Sequence, residues 1–74
     1  MKEQIIEVLK QIKAGVDYEN EKNLVSDGIL ESFDIVTLIS LLNNEFGIFI
    51  TVADLVPENF ESVETIENLI NKLK

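Results

Sequence analysis

Apolar residues recur at helical spacing in the first part of the chain. Between residues 3 and 13 they form one stripe, which consists of Ile5, Val8, Leu9 and Ile12. This spacing is typical of an amphipathic helix that buries one face. Lys10 and Lys13 lie near the end of the stripe, where cations complement the helix dipole, and Gly15 marks a stop. The pattern predicts a first helix over residues 3–13.

A second helix is predicted over residues 33–46. At roughly 100° per residue, one group of apolar side chains falls within about 100° of arc. This group consists of Ile35, Leu38, Ile39, Leu42 and Phe46. The polar residues opposite are Thr37, Ser40 and Asn44. Phe33 projects among them, at roughly 160° from Ile35, so an aromatic ring is expected on the solvent side beside Ser32.

The segment after Gly47, IFITVADLVPENF, begins with residues that resemble a strand. No second strand is available to pair with it, and a lone strand is unstable. We therefore expect an extended loop that leads to one short helix. Thr51 and Asp54 have the spacing of a capping box with a shorter acid, and Pro57 is expected to stop the turn.

The last helix is predicted to begin after Ser62, a favoured N-cap residue. Its apolar face consists of Val63, Ile66, Leu69, Ile70 and Leu73. Together the elements predict an all-α fold, in which three main helices and one short helix form a compact antiparallel bundle. A chain of 74 residues has room for one core only, so residues 1–74 are expected to be a single domain.

A long loop separates the first two helices, because no periodicity persists from Gly15 to Glu31. Loops of this length are uncommon in compact domains and tend to be functional. Four apolar residues are expected to hold it on the core: Leu24, Val25, Ile29 and Leu30. Its polar first half, VDYENEKN, is expected to be solvated. For Tyr18 and Phe60, loop anchoring or core packing is a better interpretation than ligand stacking.

The acidic stretch DYENE raises the question of a calcium site. An EF-hand loop needs a glycine at position six and a glutamate at position twelve. Counted from Asp17, those positions hold Lys22 and Gly28. We therefore expect no metal site.

The composition excludes several kinds of function. The chain has no cysteine and no histidine, so it offers neither a thiolate nor the commonest general base. Six basic residues stand against fourteen acidic ones, and the net charge of −8 disfavours nucleic acid and anionic membranes and suits electropositive protein partners. The N-terminus lacks the apolar core of a signal peptide and no apolar run spans a bilayer, so we expect a cytoplasmic monomer without membrane insertion.

Ser32 stands at the start of the second helix, in the stretch SDGILESFD. The simplest interpretation is an N-cap, with Asp34 in the first turn complementing the helix dipole. Three features favour a further role: the exposed Phe33 beside it, the long loop before it, and the stabilisation of phosphate at helix N-termini. A hydroxyl at this point is a candidate site for a phosphate-linked group.

The stretch DGILESFDIVTLISLLNNEFGIFI resembles the acyl carrier protein family, the small four-helix carriers of 4′-phosphopantetheine. The expected helix order fits that family along the whole chain. The family motif centres on Asp-Ser-Leu, and residues 31–33 of this chain read Glu-Ser-Phe. The following Asp34 and the later pair Glu45-Phe46 also fit the pattern.

The resemblance implies that a phosphopantetheinyl transferase moves the phosphopantetheine arm from coenzyme A to the Ser32 oxygen, using magnesium. The thiol of the arm then holds an acyl or aminoacyl group as a thioester, so the chain needs no cysteine of its own. The protein is then a carrier and not an enzyme. Its partners are the transferase and the adenylating and acyl-transfer enzymes that load and unload the arm. The residues expected to meet these partners are Glu31, Phe33, Asp34, Thr37 and Leu41.

The exposed face of the second helix indicates the kind of carrier. Carriers of fatty acid synthesis have glutamates there, which meet basic enzyme surfaces. This chain has neutral residues instead, namely Thr37, Ser40, Asn43 and Asn44, and acids remain only at Asp34 and Glu45. Partner choice depends on such charges, and PENFESVETI is spaced as in standalone D-alanyl carrier proteins, so the resemblance favours a specialised acyl or aminoacyl carrier. Those proteins commonly have a tryptophan where this chain has Phe60, so the match is partial.

The alternative is a small helical protein-interaction domain that docks its partners through Phe33 and Leu41. Ser32 would then serve only as a helix cap. This alternative shares the fold and differs in its chemistry, because it predicts no modification of Ser32.

Overall fold

A computed structural model describes all 74 residues, and every regular element in it is helical. The α-helices are α1 (Lys2–Ile12), α2 (Ser32–Phe46) and α3 (Val63–Leu73). Two 3₁₀ turns, Val52–Asp54 and Pro57–Phe60, lie between α2 and α3. The predicted all-α class and the long loop after the first helix are confirmed. None of these helices combines the length and the apolar character that crossing a bilayer requires.

The single short helix predicted after Gly47 is wrong in one respect, because this segment forms two turns. The first turn ends at Asp54, and Pro57 begins the second turn and does not stop the first. Proline suits the first position of a helical turn, since its missing N–H has no partner there in any case. The predicted capping box is confirmed, because the Thr51 N–H donates to the Asp54 carboxylate at 3.2 Å.

The core is one cluster of 14 hydrophobic side chains from all three α-helices and the segments between them. Helix α1 packs against both α2 and α3, and α3 also packs against the second 3₁₀ turn. The predicted stripe on α2 is confirmed, because Leu38 and Leu42 are buried. The rest of that stripe packs against the cluster, namely Ile35, Ile39 and Phe46. The predicted apolar faces of α1 and α3 turn to the same core.

Ser62 caps α3 as predicted. Its hydroxyl accepts a hydrogen bond from the Thr65 N–H at 3.2 Å, and the Thr65 hydroxyl accepts one from the Ser62 N–H at 3.1 Å. These bonds satisfy backbone donors that a helix leaves free at its N-terminus. Ser62 is only 4% exposed, so its hydroxyl is committed to the cap and is closed to other chemistry.

The loop of residues 13–31 is held on the core by the predicted side chains. These are Leu24, Val25, Ile29 and Leu30, of which the first and last are buried. The Lys13 ammonium group donates to the Ile29 carbonyl oxygen at 2.9 Å, which ties the start of the loop to its end. No group of three or more side chains that could hold a metal ion is present in the structure.

Tyr18 is only 2% exposed, which confirms the interpretation that it packs on the core or anchors the loop. The expectation that the first half of this loop is solvated is wrong at this residue. Its hydroxyl lies at the end of α1 and donates to the carbonyl oxygens of Leu9 and Lys13. The Leu9 carbonyl oxygen also accepts from the Lys13 N–H, so the Tyr18 hydroxyl is a second donor there, and these contacts satisfy the buried hydroxyl. Burial, with a smaller contribution from the charge of Asp34, raises the pKa of Tyr18.

Helix α2 ends at Phe46, and the next residue, Gly47, has the left-handed conformation with φ of 63°. The chain then turns back, and the Ile50 N–H donates to the side-chain oxygen of Asn43 at 2.9 Å. Asn43 is partly buried, so its assignment to the exposed face of the helix is wrong. Its amide holds the segment that follows α2 against the last turns of the helix.

Candidate functional site

Ser32 is the first residue of α2, and Glu31 occupies the N-cap position. The Glu31 N–H donates to the Asp34 carboxylate at 3.0 Å, so an acid one turn later satisfies the donor at the helix start. The expectation that Ser32 is the cap is therefore wrong. Its side chain is exposed and its hydroxyl takes no part in capping α2. The alternative function is wrong only in making Ser32 a cap, because docking through Phe33 and Leu41 does not depend on which residue caps α2.

The backbone around Ser32 has the polarity of a helix N-terminus. Ile35 is the first residue whose N–H pairs along the helix, with the Glu31 carbonyl oxygen at 3.0 Å. The N–H groups before it have no partner within the helix and give this end a partial positive charge. An anionic group on the Ser32 oxygen is therefore stabilised by the helix itself.

Phe33 and Val36 form an exposed apolar patch beside Ser32, which we call the α2 patch. Phe33 is 80% exposed and Val36 is 65% exposed. The prediction that the Phe33 ring stands on the solvent side is confirmed. Adjacent apolar side chains with this exposure offer contact area to a protein partner.

The other residues predicted to recognise partners differ in how much surface they offer. Glu31 is exposed, whereas Asp34 is partly buried. Thr37 is partly buried, and its hydroxyl donates to the Phe33 carbonyl oxygen at 3.2 Å. Leu41 packs against the core and is partly buried, so it offers less surface than a solvent-facing contact residue. Most of the exposed apolar surface of α2 thus lies at its N-terminal end.

An open groove of about 730 Å³ lies beside Ser32. Three parts of the chain line it: the loop before α2 (Val25, Gly28, Leu30), the start of α2 (Glu31, Ser32, Phe33, Ile35, Val36) and the segment before α3 (Leu55, Val56, Pro57, Phe60). Eight of these residues are hydrophobic, so the Ser32 hydroxyl stands next to an apolar surface.

No periodic pattern in the sequence pointed to the third lining segment. Leu55 and Val56 are large and apolar, yet they are 43% and 39% exposed. The one local signal was this pair of adjacent apolar residues before Pro57, in a segment too short to form a helical face. Their exposure beside the groove marks them as part of the site.

Glu61 joins the loop before α2 to the segment before α3. Its carboxylate accepts hydrogen bonds from the Val25 N–H at 2.9 Å, from the Ser26 N–H at 3.0 Å, and from the Ser26 hydroxyl. The bond from the Ser26 hydroxyl, followed by the backbone bonds, holds the pKa of Glu61 below its usual value. Nothing in the local sequence indicates this contact, because the partners are 35 and 36 residues apart.

Comparison with known proteins identifies the family. No family model matches the chain. The chain is 36% identical over 63 residues to Aminoacyl carrier protein 1 of Bradyrhizobium diazoefficiens, and this match covers 85% of the chain and 69% of that protein. The chain therefore belongs to the acyl and aminoacyl carrier protein family. Its membership supports the role of a carrier of acyl or aminoacyl groups and not that of a catalyst.

Proposed function

We propose that Ser32 is the attachment point of a 4′-phosphopantetheine arm, and that the thiol of this arm holds an aminoacyl or acyl group as a thioester for delivery between enzymes. The observation that carries this proposal is the position of Ser32. It is exposed at the first residue of α2, and its hydroxyl is free because Glu31 occupies the N-cap. Membership of the carrier family supports the same function.

The residues around Ser32 fit such an arm. A phosphodiester on the Ser32 oxygen would lie at the positive end of the α2 dipole, where unpaired N–H groups stabilise anions. The nearby Asp34 carboxylate already accepts a hydrogen bond from the Glu31 N–H, which partly offsets its repulsion of a second anion. The apolar groove beside the serine suits the aliphatic portion of the arm.

The chain presents the serine and supplies no catalytic group of its own. It has no histidine, the commonest general base, so we assign removal of the proton on the Ser32 oxygen to the transferase, which also binds coenzyme A and magnesium. The cap formed by Glu31 and Asp34 keeps the first turn of α2 ordered, so the backbone that carries the hydroxyl has a defined position. When bound, the arm supplies the thiol that this sequence lacks.

We assign the cargo to aminoacyl groups. The similar protein from Bradyrhizobium diazoefficiens is named an aminoacyl carrier. On α2 the solvent-facing positions after the first turn include Ser40 and Asn44, both exposed and uncharged, so this face has little attraction for strongly basic enzyme surfaces. An adenylating enzyme that activates an amino acid is the loading partner that this cargo requires.

Partner enzymes are proposed to dock at the N-terminal end of α2. The α2 patch offers apolar contact area, and Glu31 and Asp34 add negative charge beside it. Both the phosphopantetheinyl transferase and the loading enzyme must reach Ser32, so each needs an apolar contact with a few basic groups near it. Thr37 and Leu41 are less exposed and are assigned to the edge of this surface.

An intact-mass measurement tests the attachment. The protein is incubated with coenzyme A, magnesium and a phosphopantetheinyl transferase of broad specificity. We expect the mass of the wild type to rise by one phosphopantetheine. The control Ser40→Ala removes an exposed serine from the same helix and should be modified like the wild type, whereas Ser32→Ala should not be modified. A wild type that stays unmodified with several transferases contradicts the proposal, as does a modified Ser32→Ala.

A further inference from the structure

Four hydrogen bonds meet at Glu61, and we call this set the Glu61 clasp. Its carboxylate accepts from the Val25 N–H, the Ser26 N–H and the Ser26 hydroxyl. Its carbonyl oxygen accepts from the Leu24 N–H at 2.9 Å. Bonds to an ionised acceptor are stronger than neutral ones, so a clasp of this kind holds two segments of a small domain together.

The clasp joins two of the three segments that line the groove. Val25 lines the groove from the loop, and Phe60, the residue before Glu61, lines it from the second 3₁₀ turn. Leu24 and Phe60 are both buried, so both sides of the clasp are anchored in the core. The clasp therefore fixes the position of the loop relative to the second 3₁₀ turn, and both of these segments line the groove.

The loop connects the Glu61 clasp to the start of α2. The Asp27 N–H donates to the Asn23 carbonyl oxygen at 2.8 Å, and the Leu30 N–H donates to the Leu24 carbonyl oxygen at 2.8 Å. Residues 23–30 thus form a closed unit, and the residue after them is the N-cap of α2. A shift of this unit moves the chain that enters the helix at its first turn.

We propose that Glu61 is a positioning residue for the modification of Ser32, because it holds residues 23–30 in the orientation in which the transferase meets the serine and the groove. This inference rests on the proposed attachment at Ser32. Glu61 does not line the groove, so it acts through the loop and not by direct contact with the arm.

Loss of the clasp should affect recognition more than chemistry. The Ser32 hydroxyl keeps its reactivity, because no group that bonds to it is removed. The loop, however, then samples orientations that the transferase does not accept, and the apparent affinity falls with the fraction of accepted molecules. A change of this kind raises KM and leaves kcat nearly unchanged.

Amide hydrogen exchange on the unmodified protein is the first test. Glu61→Ala should speed exchange of the Leu30 N–H by roughly tenfold, the effect of losing about one strong hydrogen bond. Leu30 is the informative position because its own acceptor is Leu24 and not Glu61. Glu67→Ala is the matched control, since it removes the same charge from α3 and leaves the clasp intact. If the Leu30 N–H of Glu61→Ala exchanges at the wild-type rate, the proposal is wrong.

Transferase kinetics with coenzyme A are the second test. We expect KM for the carrier to rise by about threefold or more in Glu61→Ala with kcat within about twofold of the wild type. Glu61→Gln keeps an acceptor oxygen for the two N–H groups and should lie between Glu61→Ala and the wild type. Should Glu61→Ala not fold, Ser26→Ala removes the hydroxyl bond alone and should raise KM in the same direction.

Two outcomes separate this inference from the attachment on which it rests. If Glu61→Ala shows faster exchange at the Leu30 N–H but an unchanged KM, Glu61 has no positioning role, and the proposed attachment at Ser32 is unaffected. A wild type that no transferase modifies overturns the attachment and with it any role of Glu61 in modification, whatever the exchange rates show.

Discussion

The Glu31 N–H donates to the Asp34 carboxylate at 3.0 Å. A serine at a helix start can cap the helix or carry a covalent group, and this bond bears on which of the two roles Ser32 has. Because Asp34 satisfies the donor at the N-cap, α2 begins without help from the Ser32 hydroxyl. Ser32 is then the first residue of the helix, and its oxygen is free to form a covalent bond. The helix start can therefore stay ordered whether or not the serine is modified.

Asp34→Ala is expected to lower the free energy of unfolding by about 0.5–2 kcal/mol, the usual cost of losing a helix cap. Asp34→Asn keeps an acceptor oxygen for the Glu31 N–H and should cost less. Ser32→Ala should stay within about 0.5 kcal/mol of the wild type, as exposed positions do. Urea denaturation measures all three variants. If Ser32→Ala costs as much as Asp34→Ala, the serine is a cap after all.

Phe33→Ala is expected to leave the fold intact and to weaken reactions with partner enzymes. The ring is 80% exposed, so its removal should change the free energy of unfolding by less than about 0.5 kcal/mol. Circular dichroism and thermal unfolding check the fold, and KM of the transferase checks recognition. Phe49→Ala is the matched control, because Phe49 is 76% exposed and does not line the groove. Equal KM values for the two variants would show that the Phe33 ring makes no contact with the transferase.

Phe60→Ala is expected to cost about 3–5 kcal/mol of stability, the range for truncating a buried aromatic side chain. Phe60 is only 1% exposed, and it belongs both to the core and to the lining of the groove. A loss of this size is a large share of the stability of a small domain. Thermal unfolding measures it, with Phe60→Leu as a milder control. A stable Phe60→Ala would place the ring outside the core.

Acidification is expected to release the Glu61 clasp. Hydrogen bonds from Ser26, and then from the Val25 N–H, hold the pKa of Glu61 below its usual value in the folded protein. The stability that such a group contributes is present above its pKa in the unfolded chain, and it is lost as the pH falls through the lower pKa of the folded state. The stability contributed by Glu64 depends on pH in the same direction, because the hydrogen bond from Lys22 holds the pKa of Glu64 below its usual value.

A pH titration followed by NMR measures the protonation of Glu61 locally, through the amide signals of Val25 and Ser26. Global stability is a poorer measure, because protonation of the many other acids also relieves the repulsion that comes with a net charge of −8. We expect both signals to titrate below the usual pKa of a glutamate in the wild type and to show no such step in Glu61→Gln. Midpoints at or above the usual value would contradict the clasp.

Features that depend on neighbours in the chain were predictable from the sequence. The apolar stripe of α2, the solvent-side position of Phe33 and the Ser62 cap all follow from helical spacing or from the chemistry of a helix start. The cap of α2 was misassigned because serine is a common cap residue, whereas here Glu31 occupies the N-cap and the Asp34 carboxylate accepts from the Glu31 N–H.

Features that depend on distant contacts were not predictable. The burial of Tyr18 was expected from its role as an anchor, but the bonds of its hydroxyl to the Leu9 and Lys13 carbonyl oxygens were not. The third lining segment of the groove and the Glu61 clasp join residues far apart in the chain, and no local period marks them. Ser32 was proposed as the attachment point from the sequence alone, whereas the surface around it could be described only from the fold.

The most direct test is to locate the modification within the chain. Cleavage after Glu31 and Glu45 releases a peptide of residues 32–45, which contains both Ser32 and Ser40. Tandem mass spectrometry of this peptide, taken from protein treated with coenzyme A and a transferase, should place one phosphopantetheine on Ser32 and none on Ser40. Phosphopantetheine on Ser40, or an unmodified peptide from a protein whose intact mass has risen, would contradict the assignment of Ser32 as the attachment point.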